Sequence, residues 1–173
     1  MISHIYNLNR LGQAGDAVTL QASEGERAEL AELAKESNVL EVQEFGGRIS
    51  LKKISSSRFD LNYHLSARIV QACVVTLELL GAHIEKDFLR ELHYAPNLRR
   101  PAEKEIVIAL SDDDLPEEIE SLHFDLAGPL VEEFLLAIDP YPRAPGVAFE
   151  PPEGLNAKPE SPFEVLKGLK SGG

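Results

Sequence analysis

The chain of 173 residues is the length of one ordinary domain, and its 43% hydrophobic content supplies enough apolar surface for a core. A formal charge of -12 at pH 7 repels phosphate when averaged over the surface, which excludes nucleic-acid binding through a generally basic exterior; contact with RNA requires a local basic patch. One cysteine excludes an internal disulfide and fits a reducing compartment, and no basic-apolar leader or membrane-length apolar run is present, so a cytoplasmic protein with no membrane partner is expected.

In chain order, Val18 and Leu20 alternate with polar neighbours and predict an early strand within residues 1–22. Ser23 and Glu26 form a capping box, and Ala28, Leu30, Ala31, Leu33 and Ala34 follow at helical spacing until Ser37-Asn38. The result is an amphipathic helix over 24–37 with Glu24, Glu29, Glu32 and Lys35 as its solvated face. Val39-Leu-Glu-Val42 reads as a strand, Gly46-Gly47 as a turn, and Arg48 to Ile54 as a second strand.

After Ser55-Ser56-Ser57 comes the clearest period-two pattern. Phe59, Leu61, Tyr63, Leu65, Ala67 and Ile69 fall on one face, and Asp60, Asn62, His64, Ser66 and Arg68 on the other, as in an antiparallel sheet with one wet side. Gln71 interrupts the apolar face before Cys73, Val75 and Leu77 resume it, predicting a bulge or bend near 71. Residues 84–94 fit strand or helix, since Ile84, Phe88 and Leu92 are four apart. Glu105 to Leu110 reads as a short buried strand, Asp112-Asp113-Asp114 with Pro116 as an acidic connector, and Leu122 to Phe124 as a short strand.

Leu130, Phe134 and Ile138 then stack at i, i+4, i+8 with Val131 and Leu135 beside them, predicting a helix over 129–138 with a buried stripe. Either Asp125 or Gly128 can cap it, the second placing Pro129 at the first helical position. Pro140, Pro142 and Pro145 stiffen the exit and display Tyr141 and Arg143. The expected organisation is a single α+β domain over 1–150, a mostly antiparallel, twisted or curled sheet with two main helices, followed by an extended proline-rich C-terminal tail over 151–173. Within that tail Phe163, Leu166 and Leu169 share one side of a short segment suited either to docking on its own domain or to anchoring a partner.

Several of these stretches together resemble a known family. Glu118-x-Glu120, the Asp125-Leu126 helix start, Leu135-x-Ala137-x-Asp139-Pro140-Tyr141-Pro142-Arg143-x-Pro145-Gly146, Cys73-Val-Val-Thr76-Leu77-Glu78 and the closing Pro162-Phe163-x-Val165-Leu166-x-x-Leu169-Lys170 are similar to the bacterial YceD family of large ribosomal RNA subunit accumulation proteins. The resemblance implies a non-enzymatic role in accumulation or processing of large-subunit (23S) ribosomal RNA, and its extended β character favours a strand at 84–94. Several relatives carry Cys-x-x-Cys at Cys73 and a second cysteine pair later, a zinc-binding pattern. Here Thr76 holds the second position and no other cysteine exists, so no structural zinc is expected and Cys73 is read as a small buried hydrophobe.

Charge is uneven along the chain. Residues 48–68 hold five bases (Arg48, Lys52, Lys53, Arg58, Arg68) against Asp60 alone, whereas residues 101–139 hold twelve acids against Lys104. A bipolar molecule is expected. Those bases with His64 form a candidate surface for an RNA backbone, and Tyr141 and Arg143 beside Asp139 a second contact. The competing readings are an ordinary solvated face and an acidic adaptor that holds a basic large-subunit ribosomal protein through its carboxylates and tail, without touching RNA. The histidines lack metal-ligand spacing, Asp112-Asp113-Asp114 lacks a calcium-loop pattern, and no phosphate loop, nucleophile elbow or dinucleotide fingerprint occurs. No metal, cofactor or enzymatic activity is therefore expected, and a metal-dependent RNA-processing enzyme ranks last.

Overall fold

The computed structural model describes residues 2–96 and 116–147. The strand expected at 105–110, the acidic connector at 112–114 and the tail with Phe163, Leu166 and Leu169 lie outside the described residues. In chain order the elements are β1 (Ile5–Asn7), β2 (Asp16–Gln21), α1 (Glu24–Leu33), β3 (Val39–Lys53), β4 (Arg58–Ala72), β5 (Leu79–Tyr94), β6 (Glu117–Ile119), β7 (His123–Asp125) and α2 (Ala127–Ala137). Among the described residues five strands form a sheet in the order β2-β3-β4-β5-β6, antiparallel except for the short parallel β5–β6 pairing, and β1 pairs antiparallel with β7. This is an α+β fold with mostly antiparallel sheets, as the alternation of apolar residues predicts.

The sheet is built around β4. Phe59, Leu61, Tyr63, Leu65, Ala67 and Ile69 are all buried on one face, while Asn62, His64 and Arg68 are exposed on the other. Residues 84–94 resolve as strand, part of β5, paired residue by residue with β4 up to His93. Their four-residue spacing is a multiple of the strand period as well as close to the helical one, so periodicity alone leaves the choice open. Once paired, Phe88 stacks on Tyr63 with ring centroids 4.6 Å apart and planes within 4°.

Two sequence expectations fail here for physical reasons, the turn at Gly46-Gly47 and the continuation of β4 beyond Gln71. Gly46-Gly47 is no turn; β3 runs straight through it. A Cβ on Gly46 would lie 2.6 Å from the carbonyl oxygen of Leu20 on β2, and one on Gly47 would lie 2.7 Å from Leu130 Cδ2 on α2 and 2.9 Å from the carbonyl oxygen of His64. The pair therefore marks close approach of neighbouring backbone and helix, the other common use of glycine in a strand. The bulge expected near Gln71 is present, its extra residue carried by the partner strand: Val39 pairs with Gln71 but Glu41 with Val70, and Val42 with Ile69 but Glu44 with Arg68, so Leu40 and Gln43 are the additional residues. β4 does not resume after Gln71. It ends at Ala72, and residues 73–78 turn back into β5 with Leu77 in the left-handed region at φ 62°.

The helices follow their caps. In α1 the Ser23 N–H donates to Glu26 Oε2 at 2.8 Å and the Glu26 N–H to Ser23 Oγ at 3.5 Å; the helix stops at Leu33, shorter than expected, and passes through a 3-10 turn at Lys35–Ser37. Leu126 holds the N-cap position of α2 without a side-chain cap bond, and Asp125, one residue earlier, takes the first helical N–H, its Oδ1 accepting from Ala127 at 3.0 Å; Gly128 lies inside the helix. Pro129 accordingly falls third in the helix, still inside the first turn where no N–H is needed. Leu130 and Phe134 are fully buried, whereas Leu135, expected in the stripe, is exposed. The edge-on contact of Phe134 with Phe45 (5.2 Å, 77°) sets α2 on the face of the sheet that carries the β4 apolar row. Lys86 and Arg90 of β5 tie down its flank, the first to Glu133 at 2.6 Å and the second to Glu132 at 3.0 Å. The opposite face of the sheet is left uncovered by α2.

Candidate nucleic-acid interface

Register decides which predicted site residues meet. On β3 and β4, Arg48 lies opposite His64, Lys52 opposite Asp60, and Arg68 opposite Glu44, while Arg58 faces His93 of β5. Arg48, Lys52, Arg58, His64 and Arg68 thus share the open face. Lys53 is opposite Phe59 and belongs to the other face, so the five bases do not form one surface. Nor are they apart from carboxylates. The pairing of β5 sets Glu85, Asp87 and Glu91 opposite Ser66, His64 and Asp60 on the same face. Arg68 is ion-paired with Glu44 at 3.3 Å, and His64 Nδ1 lies 2.8 Å from Asp87 Oδ1. Among the described residues Arg48, Lys52 and Arg58 make no ion pair. A tally along the sequence misses this arrangement, because the acids arrive from a strand outside the tallied window.

The basic column has a concave centre. Where Gly46 has no side chain, a depression of about 440 Å³ opens, lined by Thr19, Gln21, Glu44, Arg48, His64 and Ser66, with Arg27 reaching in from α1. Arg27 Nη1 donates to the Ala22 carbonyl oxygen at 3.1 Å, which steadies the guanidinium near the rim. Sequence reasoning passed over Arg27 because it sits in an acidic helix, and only the capping box, which sets where α1 starts, bears on its direction. Two guanidiniums, an imidazole and a hydroxyl converge here from three elements, a donor set that suits the oxygens of a phosphate.

Tyr141 and Arg143 occupy a different place. Asp139 Oδ1 accepts the Tyr141 N–H at 2.9 Å, and the Pro142 carbonyl oxygen accepts the Val74 N–H at 2.9 Å, pinning the proline-rich exit to the β4–β5 turn. Cys73, fully buried, completes the attachment: its Sγ accepts N–H groups from Thr76 at 3.5 Å and Ala144 at 3.4 Å. Hydrogen bonds from the Thr76 side chain, then from these N–H groups, lower the thiol pKa to about 7 against the opposing effect of burial. Gln71 Nε2 donates to the carbonyl oxygens of Ser37 and Asp139, each at 2.8 Å, so the exit lies at the C-terminal end of β4. From His64 to Gln71 is about 23 Å along a strand. The two predicted contact regions are not brought together.

A family model described as Large ribosomal RNA subunit accumulation protein YceD matches residues 61–170, more than half of the chain. The chain belongs to the YceD family. The YceD match takes in most of β4, all of β5 and α2, the proline-rich exit, and the segment that carries Phe163, Leu166 and Leu169, whereas Arg27 and Arg48 precede it. The family's description assigns this YceD protein a role in accumulation of large-subunit ribosomal RNA. No curated protein and no solved structure matches the chain. Among the described residues no helix is long and apolar enough to cross a membrane.

Proposed function

We propose that this protein supports large-subunit ribosomal RNA accumulation as a non-enzymatic cytoplasmic factor that contacts RNA phosphates through the open face of its sheet. The observation that carries this reading is the depression over Gly46, where Arg27, Arg48 and His64 meet beside Ser66. Lys52 and Arg58, free of ion pairs among the described residues, extend the same column along β3 and β4. The carboxylates of β5 line its other side, so a phosphate backbone is favoured along the strands and repelled across them. Such contacts position RNA without reading its bases.

The test is a salt titration of binding to large-subunit ribosomal RNA fragments. Replacing Arg27 and Arg48 with Ala should reduce the salt slope by about one for each phosphate that is no longer neutralised, at unchanged melting temperature. Lys53→Ala, on the other face, should leave the slope unaltered. Absence of salt-sensitive RNA affinity in the native protein would refute the reading.

A second reading is favoured by Glu85, Asp87 and Glu91, which form an acidic column on β5. In it the protein is an adaptor for a basic large-subunit ribosomal protein and makes no RNA contact. Binding of such a protein without RNA affinity would select it, and turnover of precursor RNA by the pure protein with a divalent metal would displace both readings.

A further inference from the structure

The end of the sheet where β4 turns into β5 presents apolar side chains to solvent. Leu77 is 76% exposed, Leu79 69%, Tyr141 70% and, on the β3 bulge at the same end, Leu40 58%. Single exposed leucines are ordinary; several at one end of a fold are less so. Leu77 is also held at φ 62°, a region that strains a leucine. It is fixed there by hydrogen bonds from the Leu77 N–H to the Cys73 carbonyl oxygen and from the Cys73 N–H to that of Glu78. An exposed apolar side chain in a strained, rigid turn points to a surface built to be covered. Its rim is acidic in balance: Glu36, Glu41, Glu78 and Asp139 are exposed around it against Lys35 and Arg143, and the two carbonyls held by Gln71 bring Ser37 and Asp139 to this same end.

We propose that this acid-rimmed apolar surface is the docking site for the chain's own residues 162–170. That segment carries Phe163, Leu166 and Leu169 at intervals of three, interleaved with Lys167 and Lys170 against one acid, Glu164, so its apolar groups and its net positive charge complement the surface. The described chain runs to Val147, three residues beyond Ala144, whose N–H bonds the Cys73 sulfur in the same turn. The tail thus departs from beside the surface. Its residues 148–162 span up to about 50 Å when extended, ample to return, and tethering raises the effective concentration of the segment far above that of a free peptide. The family match extends to residue 170, so the segment belongs to the matched part of the chain. The proposal is independent of the RNA reading.

Trypsin sensitivity of the full-length protein reads the docking directly, because cleavage after Lys167 and Lys170 tracks the undocked population. Replacing Leu77 and Leu79 with Ser in the full chain should speed cleavage at these lysines about fivefold or more, at unchanged melting temperature. Reciprocally, the Phe163→Ser, Leu166→Ser protein should show faster amide exchange at residues 74–79 with α2 unaffected. Identical cleavage and exchange in native and variant proteins would overturn the proposal. Cleavage of the native chain that slows as protein concentration rises would assign the surface to a second copy's tail, and cleavage that is fast until a basic large-subunit protein is added would assign it to that partner; either result overturns docking within one chain.

Discussion

At Gly47 the side chain that is missing matters more than any that is present. Leu130 of α2 seats where a Cβ would be, and the carbonyl oxygen of His64 closes the other side. Gly47→Ala should therefore push α2 away from the sheet and destabilise the fold by about 2 kcal/mol, measured by thermal or denaturant unfolding. A glycine pair carries the same sequence signal whether it serves a turn or a close approach, which is why this site was illegible before α2 was placed on the sheet. Gln71 was half legible. Its interruption of the apolar row is plain in the sequence, but only the fold supplies the reason a buried amide is tolerated, namely the two carbonyl groups that share its Nε2 donor. Arg27 was hidden among acids of α1, since nothing local distinguishes a solvated base from one that leans over a neighbouring strand.

Among elements, β4 was the most legible because its two-residue period is unbroken over a stretch too long to be accidental. The start of α2 was legible only as a choice between two caps; Leu126 takes the cap position itself, and Asp125 just before it supplies the acceptor for the first helical N–H. Asp125 takes the Ala127 N–H together with the His4 N–H at 2.7 Å and the Ser3 hydroxyl at 2.9 Å, so one carboxylate fastens the N-terminal segment to the helix. Partial burial pushes its pKa up, but these hydrogen bonds outweigh that effect and hold it below the ordinary value of 3.8. The stabilisation is then complete above that value and is lost as pH falls through the lower folded-state pKa. Asp125→Asn should cost about 0.5–1 kcal/mol at neutral pH, a modest figure because the group is only partly buried and an amide oxygen can still accept, and the difference from the native protein should close as unfolding is measured below pH 3.8.

On the scale of the whole molecule, the open face combines a basic column on β3 and β4 with an acidic one on β5, within a chain whose charge is -12. Under the RNA reading the β5 carboxylates weaken affinity while steering the backbone along the strands. Asp87→Asn combined with Glu91→Gln should consequently tighten RNA binding severalfold at low salt, with the gain fading as ionic strength rises, as filter binding or fluorescence anisotropy would record. Sequence reasoning reached the class of fold and the family but misjudged the charge pattern, because strand pairing across the sheet, and not position along the chain, determines which charges are neighbours.

That pairing also bears on what a minimal piece of this protein can be. The family-matched span starts at residue 61, inside β4, and so leaves out β3, the strand that flanks β4 along nearly its entire length. Excised alone, residues 61–170 would expose the leucines and aromatics of the central strand along one margin, and would deprive the Gln71 amide of its Ser37 acceptor. The span by which the family is recognised therefore leaves out a strand and an acceptor that it packs against, and its signature proline segment owes its position to residues far upstream of it.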